Sequence, residues 1–345
     1  MDENVFNGFK ELFLEVNQVE THVIQYGLSD VLSRIPDSKN SKKSVLSKHK
    51  DVILFIPGNP GTVEFYKYFL ELLHTKLKIP VIGVSHAGHV SIPQCFQTTK
   101  RMLFLKYNYL DYFLFAFIAQ EDCRSVNSQI LHKLLFIENY IPKNVNLILI
   151  GHSLGAYIIL EMLKTIGDGR NVTRNVLVFP VIERLYNLTR AKVFAVLFAL
   201  LYFPILILVF FLNFFTEKWK QRIVKFVIEN IYKMDNYPEC ILHAGLNSFN
   251  TTVIKNVIAL FYSEINQIRE LQDSNIAGHI NTVSLMYGGI DPWCPRSYYE
   301  EIRKRFPTAD ITLPFEIIPH AFVANRKSTD FVANAVCQNI KKTVK

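Results

Sequence analysis

A serine lies between two glycines in the motif GHSLG, residues 151–155, where a buried strand is predicted to give way to a helix. The apolar run NLILI at 146–150 indicates the strand, and apolar residues at helical spacing follow the motif. A turn this sharp strains the backbone of Ser153 and leaves no room for side chains at Gly151 and Gly155. The turn lifts the serine hydroxyl clear of the sheet, so we predict that Ser153 is a nucleophile.

Attack by a serine on an ester carbonyl creates an oxyanion that needs backbone N–H donors. The first donor is expected at Leu154, the residue after the serine. The second is expected in the loop PGNPG at 57–61, which follows the predicted strand DVILFIP at 51–57. Asn59 is the predicted donor, with Gly58 beside it in the pocket. An ordinary tight turn is the alternative interpretation of this loop.

The serine also requires a base and an acid that orients the base, in the chain order serine, acid, histidine. Among the histidines downstream of Ser153, His320 directly follows a predicted strand at 310–319. Asp291 likewise follows the strand-like segment HINTVSLMYGG at 279–289. Both positions lie at the carboxyl end of a strand, where open α/β sheets place their sites. We therefore predict Asp291 as the orienting acid and His320 as the general base.

Three more histidines are expected close to this site. His152 belongs to the serine motif, and His86 and His89 lie in SHAGH at 85–89, just after the strand-like PVIGVS at 80–85. Two histidines three residues apart are also found in metal sites, but no third or fourth ligand accompanies them. We predict that all three line or support the pocket, and that the protein uses neither a metal nor a cofactor.

Short apolar strands alternate with amphipathic helices along most of the chain. This alternation predicts a mostly parallel α/β sheet covered by helices on both faces. The predicted organisation is an N-terminal segment at 1–50 with a polar loop at 36–50, a first part of the core at 51–180, a helical insertion at 181–278, and a second part of the core at 279–345.

Several separate motifs resemble the lipid droplet-associated hydrolase family of the α/β-hydrolase superfamily. They are IPGNPG followed by EFY, SHAGH, GHSLGAY, DPWCP and HAFV, and they extend over nearly the whole chain from residue 51 onward. The resemblance implies an α/β-hydrolase fold with an apolar cap, and a serine lipid hydrolase on lipid droplets that exchanges with the endoplasmic reticulum. It also assigns Ser153, Asp291 and His320 to a catalytic triad.

The insertion contains the apolar block VFAVLFALLYFPILILVFFLNFFT at 193–216, with no charge between Lys192 and Glu217. As one helix it would be about 36 Å long, enough to span a bilayer. A single span would put the predicted nucleophile on one side of the membrane and its acid and base on the other. A working triad therefore excludes a single span.

Basic residues flank the block on both sides, so both flanks favour the same side of a membrane. Pro204 lies at its middle, where a chain would turn. We predict a hairpin at 193–216 within one leaflet, followed by an interfacial helix at 217–234. Pro204, Trp219, Lys218 and Lys220 are the predicted anchor residues. A pair of cap helices buried in the protein is the alternative.

Composition adds limits to these predictions. The net charge of +8 and a pI near 9.1 favour an anionic surface, and without nucleic-acid motifs we predict a phospholipid surface as partner. The five cysteines are scattered and the N-terminus does not resemble a signal peptide, so a reducing, cytosol-facing location is predicted. The aromatic segment KYNYLDYFLFAFI at 106–118 would be a second apolar surface or a lid.

The function predicted from these features is hydrolysis of lipid carboxylic esters, of the sterol ester or acylglycerol type. The reaction would take place at the phospholipid monolayer of lipid droplets, with the endoplasmic reticulum membrane as a second location. One alternative is a weak or inactive hydrolase that acts as a droplet surface or interaction protein. Another is a soluble thioesterase or carboxylesterase with a buried cap.

Overall fold

The structure is a computed structural model that describes residues 8–35, 44–91, 123–166, 169–314 and 317–342. The aromatic segment predicted as a lid or second apolar surface, at 106–118, lies outside the described residues. The predicted polar loop at 36–50 is described only from residue 44 onward.

An eight-stranded sheet forms the centre of the protein, in the order β1-β2-β4-β3-β5-β6-β7-β8. The six consecutive strands β4-β3-β5-β6-β7-β8 pair in parallel with their neighbours. The pairs β1–β2 and β2–β4 are antiparallel. This arrangement confirms the predicted mostly parallel α/β sheet. The strands are β1 Lys10–Val16, β2 Val19–Tyr26, β3 Asp51–Ile56, β4 Val81–Val84, β5 Asn146–His152, β6 Val172–Val178, β7 Val283–Met286 and β8 Asp310–Thr312.

Helices cover both faces of the sheet, because parallel neighbours must be joined by crossover connections. The central strands β3 and β5 are apolar along almost their whole length and buried, as expected for strands covered on both faces. The helices are α1 Lys67–Leu77, α2 Val126–Tyr140, α3 Leu154–Leu163, α4 Thr189–Leu212, α5 Glu217–Phe226, α6 Glu239–Asn247, α7 Thr251–Gln267, α8 Asp273–Ala277, α9 Arg296–Arg305 and α10 Arg326–Lys341.

The N-terminal segment contributes a β-hairpin that the sequence reasoning did not identify. Asn17 and Gln18 join β1 to β2, and both have positive φ, as a tight two-residue hairpin turn requires. His22 of β2 contacts the Ser85 hydroxyl at 3.0 Å and the Glu11 carboxylate at 2.8 Å. The Ser85 contact joins the hairpin to the end of β4, and the Glu11 contact joins its two strands. The alternating pattern of KELFLEV was the available signal for β1.

The predicted strand at 310–319 is much shorter in the structure, where β8 ends at Thr312. Pro314 follows two residues later. A proline has no N–H to donate to the ladder, so it ends regular pairing. Residues 313–314 and 317–320 belong to no helix or strand.

The helices α4 to α8 lie between β6 and β7 and form the cap. The structure contradicts the hairpin predicted at 193–216, because α4 runs without interruption through Pro204. Proline removes one intrahelical hydrogen bond, and here that loss is contained within a helix of 24 residues. The alternative of a buried helix pair does not describe α4 either, since the most apolar 18-residue window of this helix is only 6% buried.

Both ends of α4 contact the rest of the protein. Ala191 is buried near its start, and Val209 and Leu212 are buried near its end. Between them the helix exposes large apolar side chains, among them Leu200 and Phe203, each 71% exposed. Among the described residues, α4 is the one helix long and apolar enough to cross a membrane by length and composition. Its position along the protein surface gives it one protein-facing side and one open apolar side.

Candidate active site

The turn between β5 and α3 has the strained geometry expected of a nucleophile elbow. Ser153 has φ 55° and ψ −119°, outside the regions that residues with side chains favour. A Cβ atom on Gly155 would lie 2.2 Å from the carbonyl oxygen of Ile56, and one on Gly151 would lie 2.5 Å from the backbone of Gly155. Close packing of the first helical turn against β3 therefore requires both glycines.

The structure brings Ser153, His320 and Asp291 together at the carboxyl edge of the sheet. The Nε2 atom of His320 lies 2.9 Å from Oγ of Ser153, and its Nδ1 atom lies 2.6 Å from Oδ2 of Asp291. Ser153 follows β5, Asp291 follows β7, and His320 follows β8. The three predicted residues thus form one continuous hydrogen-bonded chain, in the order serine, histidine, aspartate.

Asp291 is buried and receives several hydrogen bonds. Its Oδ1 accepts the N–H groups of Trp293 at 2.8 Å and Cys294 at 3.3 Å, and its Oδ2 accepts the Cys294 thiol at 3.0 Å. Burial raises the pKa of Asp291, but the hydrogen bond and charge of His320 and the bonds from Cys294 and Trp293 outweigh it. The net pKa is lowered, so the carboxylate is ionised at neutral pH and accepts the Nδ1 proton of His320. Nε2 is then free to accept the serine proton.

The Cys294 thiol was not among the predicted site residues. It lies in DPWCP, three positions after the acid, so the motif carried a signal for it. Burial raises the pKa of this thiol well above its usual 9.0, which keeps it protonated and able to donate to Asp291. Within the described part of the chain, one group of three or more His, Cys, Asp or Glu side chains has the spacing of metal ligands. It consists of Asp291, Cys294 and His320. Their ligand atoms are already joined to one another by the hydrogen bonds described above.

His152 lies behind the elbow and connects three parts of the site. Its Nδ1 accepts the Tyr66 hydroxyl at 2.8 Å, its Nε2 donates to the carbonyl oxygen of His320 at 3.0 Å, and the Tyr66 oxygen accepts the Gly58 N–H at 3.4 Å. Burial lowers the pKa of His152 to about 3, so the ring stays neutral. His152 thus supports the position of His320. Tyr66 was missed, although the motif EFY contains it.

The loop at 57–61 lies directly against the serine. A Cβ atom on Gly58 would lie 2.8 Å from Cβ of Ser153. Within the described residues, no hydrogen bond is donated by the N–H of Leu154, at the start of α3, or by that of Asn59. The Asn59 side chain points to the cap instead, where its Nδ2 donates to Oε1 of Glu264 at 2.8 Å. Both predicted oxyanion donors therefore belong to segments that adjoin the serine.

His86 and His89 lie behind this loop and are both buried. A Cβ atom on Gly61 would lie 2.9 Å from each of the two rings, and the His86 N–H donates to the Gly61 carbonyl at 2.7 Å. Burial lowers the pKa of His89 to about 4 and that of His86 well below its usual value. The two rings are therefore neutral, and both pack against the loop at Gly61.

Aromatic rings connect His320 to the cap. The Trp293 ring centroid lies 6.3 Å from that of His320 and 5.6 Å from that of Phe194 on α4. Phe261 of α7 lies 6.2 Å from Trp293 and 5.3 Å from Phe198. An apolar wall thus extends from the base to the exposed helix. Neither Trp293 nor Phe261 was among the predicted site residues.

The predicted anchor residues lie on the outer side of the cap. Pro204 is exposed in the middle of α4, and Lys218 and Trp219 are exposed at the start of α5. Lys220 forms an ion pair with Glu217 on the same helix. The exposed apolar face of α4 is therefore followed directly by a helix that combines basic and apolar side chains.

The parallel sheet, the elbow and the hydrogen-bonded serine, histidine and aspartate define a protein of the α/β-hydrolase class. The sequence profile of the lipid-droplet associated hydrolase family matches residues 49–323, and the chain belongs to this family. This result confirms the family resemblance seen in the motifs.

Curated relatives and solved structures agree with this assignment. The chain is 34% identical to the lipid droplet-associated hydrolase of Mus musculus, over 91% of this chain and 90% of that protein. It is 32% identical to the Homo sapiens protein of the same name, over 86% and 88% of the two chains. The thioesterase domain from the curacin biosynthetic pathway has the same fold, with a TM-score of 0.55, 12% identity and coverage of 97% and 99%.

Proposed function

We propose that this protein is a serine hydrolase that cleaves carboxylic esters of lipids, of the sterol ester or acylglycerol type, at the lipid droplet surface. The observation that carries the proposal is the hydrogen-bonded chain from Ser153 through His320 to Asp291, within reach of an exposed apolar helix. Membership of a droplet-associated hydrolase family supports both the hydrolytic activity and the location at lipid droplets.

The geometry supports the following sequence of steps. His320 Nε2 accepts the proton of Ser153 while Oγ forms a bond to the ester carbonyl carbon. The carbonyl oxygen becomes an oxyanion that accepts the N–H groups of Leu154 and Asn59. Collapse of this intermediate breaks the bond to the alcohol oxygen, which takes the proton from His320. Asp291 stays ionised throughout and stabilises the imidazolium ion.

The second half of the reaction repeats the first with water. His320 removes a proton from a water molecule, whose oxygen attacks the acyl carbon bound to Ser153. The resulting oxyanion uses the same two N–H donors. When it collapses, the proton returns to Oγ and the fatty acid leaves. The alcohol and the acid are thus released separately, and the enzyme is regenerated.

The cap supports binding to a phospholipid monolayer. The open side of α4 presents apolar side chains for insertion, and α5 adds Trp219 and exposed lysines at the level of the lipid headgroups. Both ends of α4 contact the protein. Insertion of this helix parallel to the lipid surface therefore keeps Ser153 and His320 on the same side of the monolayer. Such a helix suits a droplet monolayer with the body facing the cytosol, and the cytosolic leaflet of the endoplasmic reticulum as a second location.

The test is activity-based labelling followed by hydrolysis of lipid esters on an oil emulsion coated with phospholipid. Wild-type protein should react with a fluorophosphonate probe and release fatty acid, and Ser153→Ala should do neither. Ser274→Ala, at an exposed serine, is the matched control and should behave as wild type. A folded, droplet-bound wild-type protein that neither reacts nor hydrolyses would instead support the alternative of a non-catalytic droplet protein.

A further inference from the structure

The Asn59 side chain joins the loop beside the serine to helix α7 of the cap. Its Nδ2 atom donates to Oε1 of Glu264 at 2.8 Å and to the carbonyl oxygen of Val257 at 3.1 Å, across 205 and 198 residues of sequence. Glu264 is only 4% exposed. It occupies a position on the buried side of α7 where helical spacing favours an apolar residue.

A buried carboxyl group costs free energy unless its hydrogen bonds are satisfied, so its place on this helix calls for a reason. Asn59 is the one side chain among the described residues to which Glu264 is hydrogen-bonded. The carboxyl group is therefore placed where it can bind one particular loop residue. That residue is the predicted second oxyanion donor.

We propose that Glu264 is a positioning residue for ester hydrolysis, which holds Asn59 from the cap so that the Asn59 N–H faces the oxyanion formed at Ser153. The inference rests on the proposed function. The side chain of Asn59 is the part that is held, and its backbone N–H is the part that acts on the substrate.

The loop needs such a support because its backbone has few other hydrogen bonds to the residues that the structure describes. The Gly58 N–H reaches Tyr66 at 3.4 Å, the Gly61 N–H donates to Gly58 at 2.8 Å, and the Gly61 carbonyl accepts His86. None of these bonds fixes the Asn59 peptide itself. An oxyanion donor must lie within about 2.7–3.1 Å of the oxygen, so a small displacement of this peptide would weaken its bond to the transition state.

The same helix also carries contacts to α4. Phe261 packs against Phe194 and Phe198, and the Tyr262 hydroxyl donates to the Ala195 carbonyl at 2.6 Å. Helix α7 therefore joins the exposed apolar helix on one side to the oxyanion loop on the other. In this arrangement the cap is part of the catalytic machinery as well as a cover over it.

The experiment uses the full chain and a soluble ester, 4-nitrophenyl butyrate, so that lipid binding does not enter the measurement. Glu264→Leu removes the acceptor and should lower kcat by about 10²-fold, with KM changed by less than about twofold. Glu264→Gln retains an oxygen acceptor for Asn59 and should restore kcat to within about threefold of wild type. Thermal unfolding is followed in parallel to check that each variant is folded.

Glu64→Leu is the matched control. It removes a carboxyl–asparagine contact of the same kind, in which Asn247 of α6 donates to Glu64 at 2.8 and 3.0 Å, without touching Asn59. This variant should lose thermal stability but keep kcat. A loss of kcat equal to that of Glu264→Leu would overturn the proposal, because any loosening of the cap would then suffice.

Asn59→Ala provides a second route if Glu264→Leu does not fold. It keeps the backbone N–H but removes the side chain that is held, so it should lower kcat to a similar extent. Combined with Glu264→Gln it should cause no further loss. Unchanged kcat in Asn59→Ala, or a loss in Glu264→Gln as large as in Glu264→Leu, would contradict the role of Glu264. A wild-type protein that hydrolyses no ester would contradict the proposed function instead.

Discussion

His320 and Ser153 are 167 residues apart in the chain, yet Nε2 of the histidine lies 2.9 Å from Oγ of the serine. The whole cap lies between them in sequence. Their contact therefore requires the cap to leave the sheet after β6 and return to it at β7 on the same side of any lipid surface. The arrangement of α4 meets this requirement because both of its ends contact the protein.

Removal of the base or its acid is expected to abolish most of the activity. His320→Ala and Asp291→Asn should each lower kcat by about 10³–10⁴-fold, as in other serine hydrolases with this arrangement. The Asn variant keeps the shape of the aspartate but cannot hold the Nδ1 proton in the required tautomer. Stopped assays with 4-nitrophenyl butyrate measure both rates. A fall of less than about tenfold in either variant would remove that residue from the proposed triad.

Substitution of the thiol beside the acid should have a smaller, graded effect. Cys294→Ala removes one donor from Oδ2 of Asp291, which should raise the pKa of the carboxyl group and lower kcat several-fold. Cys294→Ser keeps a donor and should stay closer to wild type. The acid limb of the pH profile of kcat separates the two variants. Equal profiles for alanine and wild type would show that the thiol only fills space.

Glu264 should make stability depend on pH. Burial raises its pKa from 4.5 to about 8, against the hydrogen bond from Asn59, so the folded protein keeps a proton that the unfolded chain has lost. The contribution of Glu264 to stability is therefore largest below pH 4.5, falls as the pH rises between the two values, and levels off above about 8. Glu264→Gln has no proton to lose, so its stability relative to wild type should increase through this window.

The size of this effect is bounded by the linkage relation, at about 1.4 kcal/mol per pH unit. Urea unfolding of wild type and Glu264→Gln at several pH values measures it as a difference in the free energy of unfolding. Groups that titrate in both proteins contribute equally to the two free energies of unfolding, so their contributions cancel in the difference. A difference that does not vary with pH would mean that Glu264 keeps an ordinary pKa in the folded protein.

The exposed side of α4 should control binding to droplets without affecting the active site. Leu200, Phe203 and Ile207 lie on one side of the helix and are 71%, 71% and 56% exposed. Replacing all three with serine should remove about 1.5–3 kcal/mol of apolar burial for each side chain. In flotation assays the variant should no longer float with the oil emulsion. It should still hydrolyse 4-nitrophenyl butyrate at the wild-type rate.

Val31→Ser is the control for this prediction. Val31 is 50% exposed, but it lies after the N-terminal hairpin and outside α4. This variant should stay bound to the emulsion. Continued flotation of the triple α4 variant would place the lipid-binding surface elsewhere in the chain.

Much of the site could be predicted from the sequence because its constraints are local. The glycines of the elbow are required by the turn itself, and the turn is recognisable from the strand and helix on either side. Asp291 and His320 could be selected because each comes after a predicted strand, and the carboxyl ends of parallel strands meet at one edge of the sheet. The same alternation of strands and helices predicted the fold, which the structure confirms.

Other features depended on contacts between distant segments. Pro204 predicts a turn when only its neighbours are considered, but the helix continues through it from Thr189 to Leu212. The bond from Asn59 to Glu264 left no local pattern, since the two residues are 205 positions apart and one looks like an ordinary helical glutamate. The residues with the chemistry and the backbone for the reaction were recognisable from residue type and local pattern. The distant side chains that hold them in place were not, because those contacts form when the cap packs on the sheet.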